Sequence, residues 1–326
     1  MIMNKHELIS KLENLRLLED CGLVVYFVLQ KQGTFKLKQA NIRNAALEQI
    51  KSSIEENIDK FRLQLEEEDF VLKNLSEADD RQGVVYQYDL AEIPVPLRMM
   101  SEVRENLFNV DYFTEELGRV FNFEIDSFGE IDGYIVSYGV ANENIIIYRK
   151  TYPVNLMKQG KNLFILKDAE QIDVLQNDIF RIDGKIDFFN IEQHSFILNL
   201  SVLEKYNDFK DIVVRSATNS IQQIVDLDLV ADIDKLLERA NVDISFARKL
   251  IKVITNSPIL NMVSKEDIFA FARRHSYLSQ KLKITDNHFD LDKKTSQNIF
   301  LQLLDDAFLH SELSSNEYVS PSKDKL

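Results

Sequence analysis

Ten lysines and arginines and six acids fall between residues 241 and 300, a local balance of +4 in a chain whose total is −14. Clustered Lys and Arg displace counterions from phosphates, so this segment suits nucleic acid where the chain total does not. The spacing predicts a helix over 242–255. At about 100° per residue, Phe246, Leu250, Val253 and Ile254 share one face, while Arg248, Lys249 and Lys252 fall opposite, within about a 100° arc. Ser264 with Asp267 three residues on reads as a capping box opening a second helix. That helix ends at Arg273-Arg274-His275, where cations suit the helix dipole in any case. A hairpin over 282–291, turning at Asp286-Asn287, follows with Lys281 and Lys283 at its start. The candidate phosphate contacts are therefore Arg248, Lys249, Lys252, Arg273, Arg274, Lys281 and Lys283. An ordinary solvated face or a site for an acidic protein would use the same residue types. Secondary basic candidates are Lys36 and Lys38 on an N-terminal hairpin, and Arg149 and Lys150, interleaved with Tyr148 and Tyr152, which can stack on bases.

Other chemistries lack their parts. There is no GxGxxG and no GxxxxGK[ST], so no glycine-rich loop wraps a phosphate. GxSxG and HExxH are absent, and the five histidines are scattered. Asp173, Asp178 and Asp183-Gly184-Lys185 can be arranged as the acids and lysine of a magnesium-dependent nuclease, although Asp183-Gly184 is better explained as a hairpin turn. The lone Cys21 beside the apolar run 23–29 reads as a buried thiol, and a single cysteine excludes an internal disulfide. No catalytic residue, metal site or cofactor is expected.

The elements that must position the basic segment follow from periodicity. The 326 residues, 45% hydrophobic and 28% charged, suit a globular protein of roughly two domains. The spacing of Leu8, Leu12 and Leu15 predicts a first helix, and 23–29 and 35–38 a hairpin through Gly33. A long helix is expected over 43–65. From 121 to 213 come short strands about ten residues apart, with turns at Asp132-Gly133, Ala141-Asn142, Gln159-Gly160 and Asp183-Gly184. That spacing is too short for βαβ crossovers, so the sheet should be mostly antiparallel. Helices follow, including one over 297–308, and the chain ends in a polar tail. The expected class is α+β, a mostly antiparallel sheet domain with flanking helices before a helical C-terminal part with a short β-hairpin. Its expected regions are 1–120, 121–220 and 221–326. The longest uncharged apolar run, 21–30, is half of what a membrane-spanning helix needs. The N-terminus carries acids too early for a secretory signal.

A series of short motifs runs over nearly the whole chain. They are Ala78-Asp79-Asp80-Arg81, Tyr86-Gln87-Tyr88-Asp89-Leu90, Ile93-Pro94, Ile147-Tyr148-Arg149-Lys150 with Pro153, Ile186-Asp187-Phe188-Phe189 and Ile197-Leu198-Asn199. Further on come Ala247-Arg248-Lys249-Leu250, Ser257-Pro258, Leu303-Leu304-Asp305-Asp306, Ser311-Glu312-Leu313, Tyr318 and Ser322-Lys323. In order and spacing this resembles the KwaB-like proteins, the soluble component of the two-gene Kiwa anti-phage defence system of bacteria. The resemblance implies a DNA-binding protein that is not demonstrably catalytic. It implies work beside a small multi-pass membrane partner, KwaA, in an assembly that senses infection at the envelope and suppresses phage DNA replication and late expression. A cytoplasmic protein recruited to the inner membrane through that partner, without inserting itself, is expected, and a homodimer or higher homo-oligomer. The −14 charge departs from a simple DNA binder.

Overall fold

The computed structural model describes residues 3–78, 83–106, 120–140, 143–157, 163–165, 172–174, 179–311, 313–314 and 316–320. Its strands are β1 (Gly22–Lys31), β2 (Thr34–Gln39), β3 (Val71–Asn74), β4 (Val84–Gln87), β5 (Ile131–Val140), β6 (Glu143–Lys150), β7 (Leu156–Met157), β8 (Leu163–Ile165), β9 (Ile172–Val174), β10 (Ile179–Phe180), β11 (Phe188–Ile191), β12 (His194–Ile197), β13 (Ile284–Thr285), β14 (His288–Phe289), β15 (Phe308–His310) and β16 (Glu317–Val319). The class is α+β, with a mostly antiparallel sheet, a helical C-terminal part and short hairpins, as expected. The chain divides into two compact units, Met1–Leu72 with Pro94–Leu203, and Lys73–Ile93 with Glu204–Leu326.

The first unit is built on strands ordered β2-β1-β5-β6-β11-β12, each pair antiparallel. Gln32 and Gly33, both at positive φ (49° and 80°), close the β1–β2 hairpin, the conformation that matches strand twist. Helix Asn44–Glu66 buries Ile54, Ile58, Phe61 and Leu65. Its Phe61 ring stands 5.3 Å from Phe189 of β11, edge to face. Alternation along the strands places Val136, Ile147 and Phe189 in one row, and the opposite row, Ile135, Ile146, Tyr148 and Phe188, is buried too. Helix Val95–Glu105 packs on β5, β6 and β11.

Two expected turns are corrected. Asp132-Gly133 lies inside β5, because glycine there makes room: a Cβ would strike the Tyr148 hydroxyl. Asp183-Gly184 is not a hairpin turn, since β10 pairs with β7 while β11 pairs with β6 and β12. Gly184 instead lets the chain pass helix Asn44–Glu66, where a Cβ would strike Ser53. Ala141-Asn142 and Gln159-Gly160 lie outside the described residues.

In the second unit, helix Ile244–Asn256 is central. It packs against helices Asn207–Ser220, Asp234–Val242 and Lys294–Leu304, and against the single turn Leu75–Glu77. Residues 73–93 thus belong to this unit although helix Val95–Glu105 belongs to the first. Asp89 of that excursion accepts hydrogen bonds from the Ser76 backbone N–H (2.9 Å) and hydroxyl (2.5 Å), and Glu92 pairs with Arg215 at 3.0 and 2.7 Å. The β13–β14 hairpin turns at Asp286 and Asn287 (φ 48° and 58°) as expected. The helix expected over 297–308 stops at Leu304. Asp306 takes a left-handed φ of 53°, and Phe308 begins β15, which pairs with β16 in the stretch read as a polar tail. No helix among the described residues is long and apolar enough to cross a membrane.

Candidate nucleic-acid interface

Helix Ile244–Asn256 is capped by Asp243, whose carboxylate accepts from the Phe246 N–H at 3.0 Å. It buries Ala247 and Ile251 besides Phe246, Leu250, Val253 and Ile254. The expectation of an apolar back and a purely basic front is therefore corrected, because three helices and a turn surround this helix. Arg248, 12% exposed, pairs with Glu204 at 2.9 Å. Lys252, 17% exposed, pairs with Asp305 at 2.7 Å. Those acids lie 44 and 53 residues away in sequence, which is why helical geometry alone left the cations looking unpaired. Lys249 is the exposed member of the three.

The remaining candidates stay in solvent. Ser264 caps helix Lys265–Arg274 as expected, accepting from the Asp267 N–H at 3.2 Å. Ile268, Phe269 and Ala272 bury one face, with Phe269 set 4.8 Å from Phe289 of β14. That anchoring leaves Arg273 and Arg274 outward in the last turn, Arg273 lying 5.7 Å from the Phe269 ring centre. Helix Ser276–Lys281 follows directly, pinned by buried Leu278 and capped by His275. Leu282 is buried between exposed Lys281 and Lys283. Arg273, Arg274, Lys281 and Lys283 make no ion pair with a described residue, so the fold brings four free cations together within residues 273–283. Such groups position a phosphate backbone without reading bases.

The secondary candidates divide differently. Lys36 is exposed on β2, while Lys38 is held by both oxygens of Asp126 at 2.7 Å. Arg149, 11% exposed, donates to Asp183 at 3.0 and 3.3 Å and to Asp187 at 3.0 and 3.1 Å. Lys150 donates to Asp132. Asp187, 1% exposed, also accepts from the Lys150 N–H (2.9 Å) and the Asn199 amide (3.0 Å). Burial pulls the Asp183 carboxyl up, but the Arg149 guanidinium outweighs it and holds that carboxyl below its usual range. Burial pushes the Tyr134 phenol, bonded to Asp183, well above its ordinary value. Three motifs distant in sequence, 147–150, 186–189 and 197–199, therefore meet in one buried polar network. Arg149, Lys150 and Lys38 are consumed by structure and cannot reach a phosphate as placed. Asp183 of the nuclease arrangement belongs to this network, Lys185 is exposed, Asp173 is described by its backbone alone, and Asp178 lies outside the described residues. Among the described residues, no group of three or more His, Cys, Asp or Glu is placed to hold a metal ion.

Sequence reasoning missed a groove next to the four cations. His275, Ser276 and Tyr277 line it together with Asn316, Glu317, Tyr318 and Val319 of β16 and its approach, enclosing about 510 Å³. Periodicity carried no signal for it, since its second wall comes from the stretch read as a tail.

Comparison with known proteins bears on the same regions. The family model described as Kiwa protein KwaB-like matches residues 129–314, from β5 to the approach of β16. A Kiwa protein KwaB from Escherichia coli O55:H7 (strain RM12579 / EPEC) is 27% identical over 297 residues, covering 89% of this chain and 90% of that protein. No solved structure matches.

Proposed function

The chain belongs to the Kiwa KwaB-like family, and from that premise we propose that it is an anti-phage defence protein that binds phage DNA without sequence choice through Arg273, Arg274, Lys281 and Lys283, with Lys249 as an outlying contact. The observation that carries the reading is the set of four exposed cations with no acid among the described residues paired to them, in a chain of net charge −14. Elsewhere in the candidate set, Arg248, Lys252, Lys38, Arg149 and Lys150 have acidic partners inside the fold. A body that repels DNA and one stretch that attracts it gives a defined orientation of approach rather than indiscriminate adhesion. The protein acts as a homodimer or higher homo-oligomer beside a KwaA-like multi-pass membrane protein. That partner recruits it to the inner membrane, and the bound DNA is withheld from replication and late expression.

The test is fluorescence anisotropy of the full chain with a duplex of arbitrary sequence over a range of salt. Neutralising all four cations to alanine should lower affinity and flatten the salt dependence. Removing Arg248 and Lys252 should leave the slope unchanged. An unchanged slope in the four-cation variant overturns the assignment.

A further inference from the structure

The groove beside the cations has features that phosphate binding does not use. Tyr277 is 41% and Tyr318 51% exposed, so two aromatic rings of the lining are open to solvent. Both are anchored at the other end: the Tyr277 ring lies 6.1 Å from Phe308, and hydrogen bonds from Ser314 and Asn316 hold the Tyr318 phenol below its ordinary range. Glu317 accepts from the Ser276 hydroxyl at 2.5 Å, which keeps its carboxyl below its usual range. Its charge is therefore fixed in the groove wall as a hydrogen-bond acceptor. His275, 6% exposed, has its Nδ1 near the Leu278 N–H (3.5 Å) and Glu317 (3.6 Å). Among the described residues its Nε2 has no hydrogen-bond partner, and its ring packs against Phe271 and Phe308. By contrast, the cavity of about 400 Å³ between helices Lys5–Leu17 and Asn44–Glu66 is lined by charges that already pair, Arg16 and Arg62 with Asp59, and Glu55 with Tyr138.

Flat aromatic faces take a heterocycle by stacking, whatever its identity. A carboxylate and an amide side chain accept and donate along a base edge, as they do in base readout. Arg274 immediately precedes His275, and Lys281 closes the helix that Ser276 opens, so cations flank the groove along the chain. We propose that this groove takes an unpaired nucleobase, so that the cationic stretch holds single-stranded DNA in preference to duplex. This rests on the DNA reading above and deepens it. A base inside a duplex is stacked and paired, and reaching the groove would require its extrusion. In a single strand it costs much less to present.

The experiment measures the full chain against three fluorescein-labelled probes of equal length at one salt concentration: a mixed-sequence single strand, the same strand annealed to its complement, and an abasic deoxyribose-phosphate strand. The single strand should bind about tenfold more tightly than either other probe, the scale of one stacked base. Tyr277→Ala combined with Tyr318→Ala should remove that preference and leave duplex affinity within about twofold, whereas phenylalanine at both positions should keep it. Equal affinity for base-bearing and abasic strands overturns the groove while leaving the cationic surface standing. Binding to none of the three overturns the DNA reading itself. If the alanine pair fails to fold, the abasic comparison on the unaltered chain decides alone.

Discussion

Two clusters of cations in this protein look alike in sequence and differ in fate. At the end of β6, Arg149 and Lys150 sit between Tyr148 and Tyr152. In the 273–283 stretch, basic residues interleave with Tyr277 across two short helices. The first cluster is folded against Asp132, Asp183 and Asp187 and is nearly dry. The second faces solvent, with its apolar neighbours Phe269, Leu278 and Leu282 taking the buried positions. The difference teaches that a basic cluster is defined by the acids that the fold returns to it. Asp183 and Asp187 lie 34 and 38 residues from Arg149, beyond the reach of any local pattern.

The largest effect expected from breaking this contrast is at Arg149. Arg149→Ala leaves two mostly buried carboxylates uncompensated and should cost about 3–5 kcal/mol by urea denaturation; a loss below about 1 kcal/mol would mean that the network is not structural. Next, replacing Arg273, Arg274, Lys281 and Lys283 with alanine should lower the slope of log K against log salt by up to about 3.6, at four phosphates and 0.9 each. The melting temperature should stay within error. Arg248→Ala with Lys252→Ala should do the reverse, costing about 2 kcal/mol through the partners left behind while sparing the salt slope.

A subtler contrast lies in pH. Because the Asp183 carboxyl is held below its unfolded value, its contribution is complete at neutral pH and above the ordinary carboxylate range. It is lost as pH falls through the lowered value. Acid titration of stability should therefore steepen in that window for the unaltered protein and flatten in an Arg149→Met variant. The smallest effect belongs to the exposed Arg215–Glu92 pair. Arg215→Ala should leave the denaturation midpoint unmoved, as surface pairs commonly do.

The fold was legible where one physical rule acted alone. A continuous apolar run predicted β1, short runs between turn signals predicted β5 and β6, and a stripe at three- and four-residue spacing predicted helix Asn44–Glu66. Asp286-Asn287 located the β13–β14 hairpin because short polar side chains tolerate the left-handed region. It was illegible where two rules competed. Asp132-Gly133 carries a turn signature, yet the glycine is required for room beneath Tyr148. Helix Asn207–Ser220 buries Phe209, Ile212, Val213 and Ala217, a stripe that the many polar residues between them obscured. Within the candidate site, exposure of the 273–283 cations followed from capping and helix-end chemistry, whereas the groove required β16 to come back to His275, a pairing between residues more than forty apart.

The excursion of residues 73–93 has a consequence for synthesis. These residues, which include β4 and the buried side chains Leu75, Val85 and Tyr86, leave the ribosome long before helix Ile244–Asn256, on which the Leu75–Glu77 turn packs. At about 5–20 residues per second the delay is on the order of ten seconds. Through that interval the Leu75–Glu77 turn, with its buried Leu75, waits without its final partner, while the chain on both sides of it can already begin folding as the first unit. Truncation near residue 203 would make the wait permanent, so a fragment cut there should expose Leu75 and recruit chaperones, and a separately expressed helical half would lack the piece that the nascent chain delivers first.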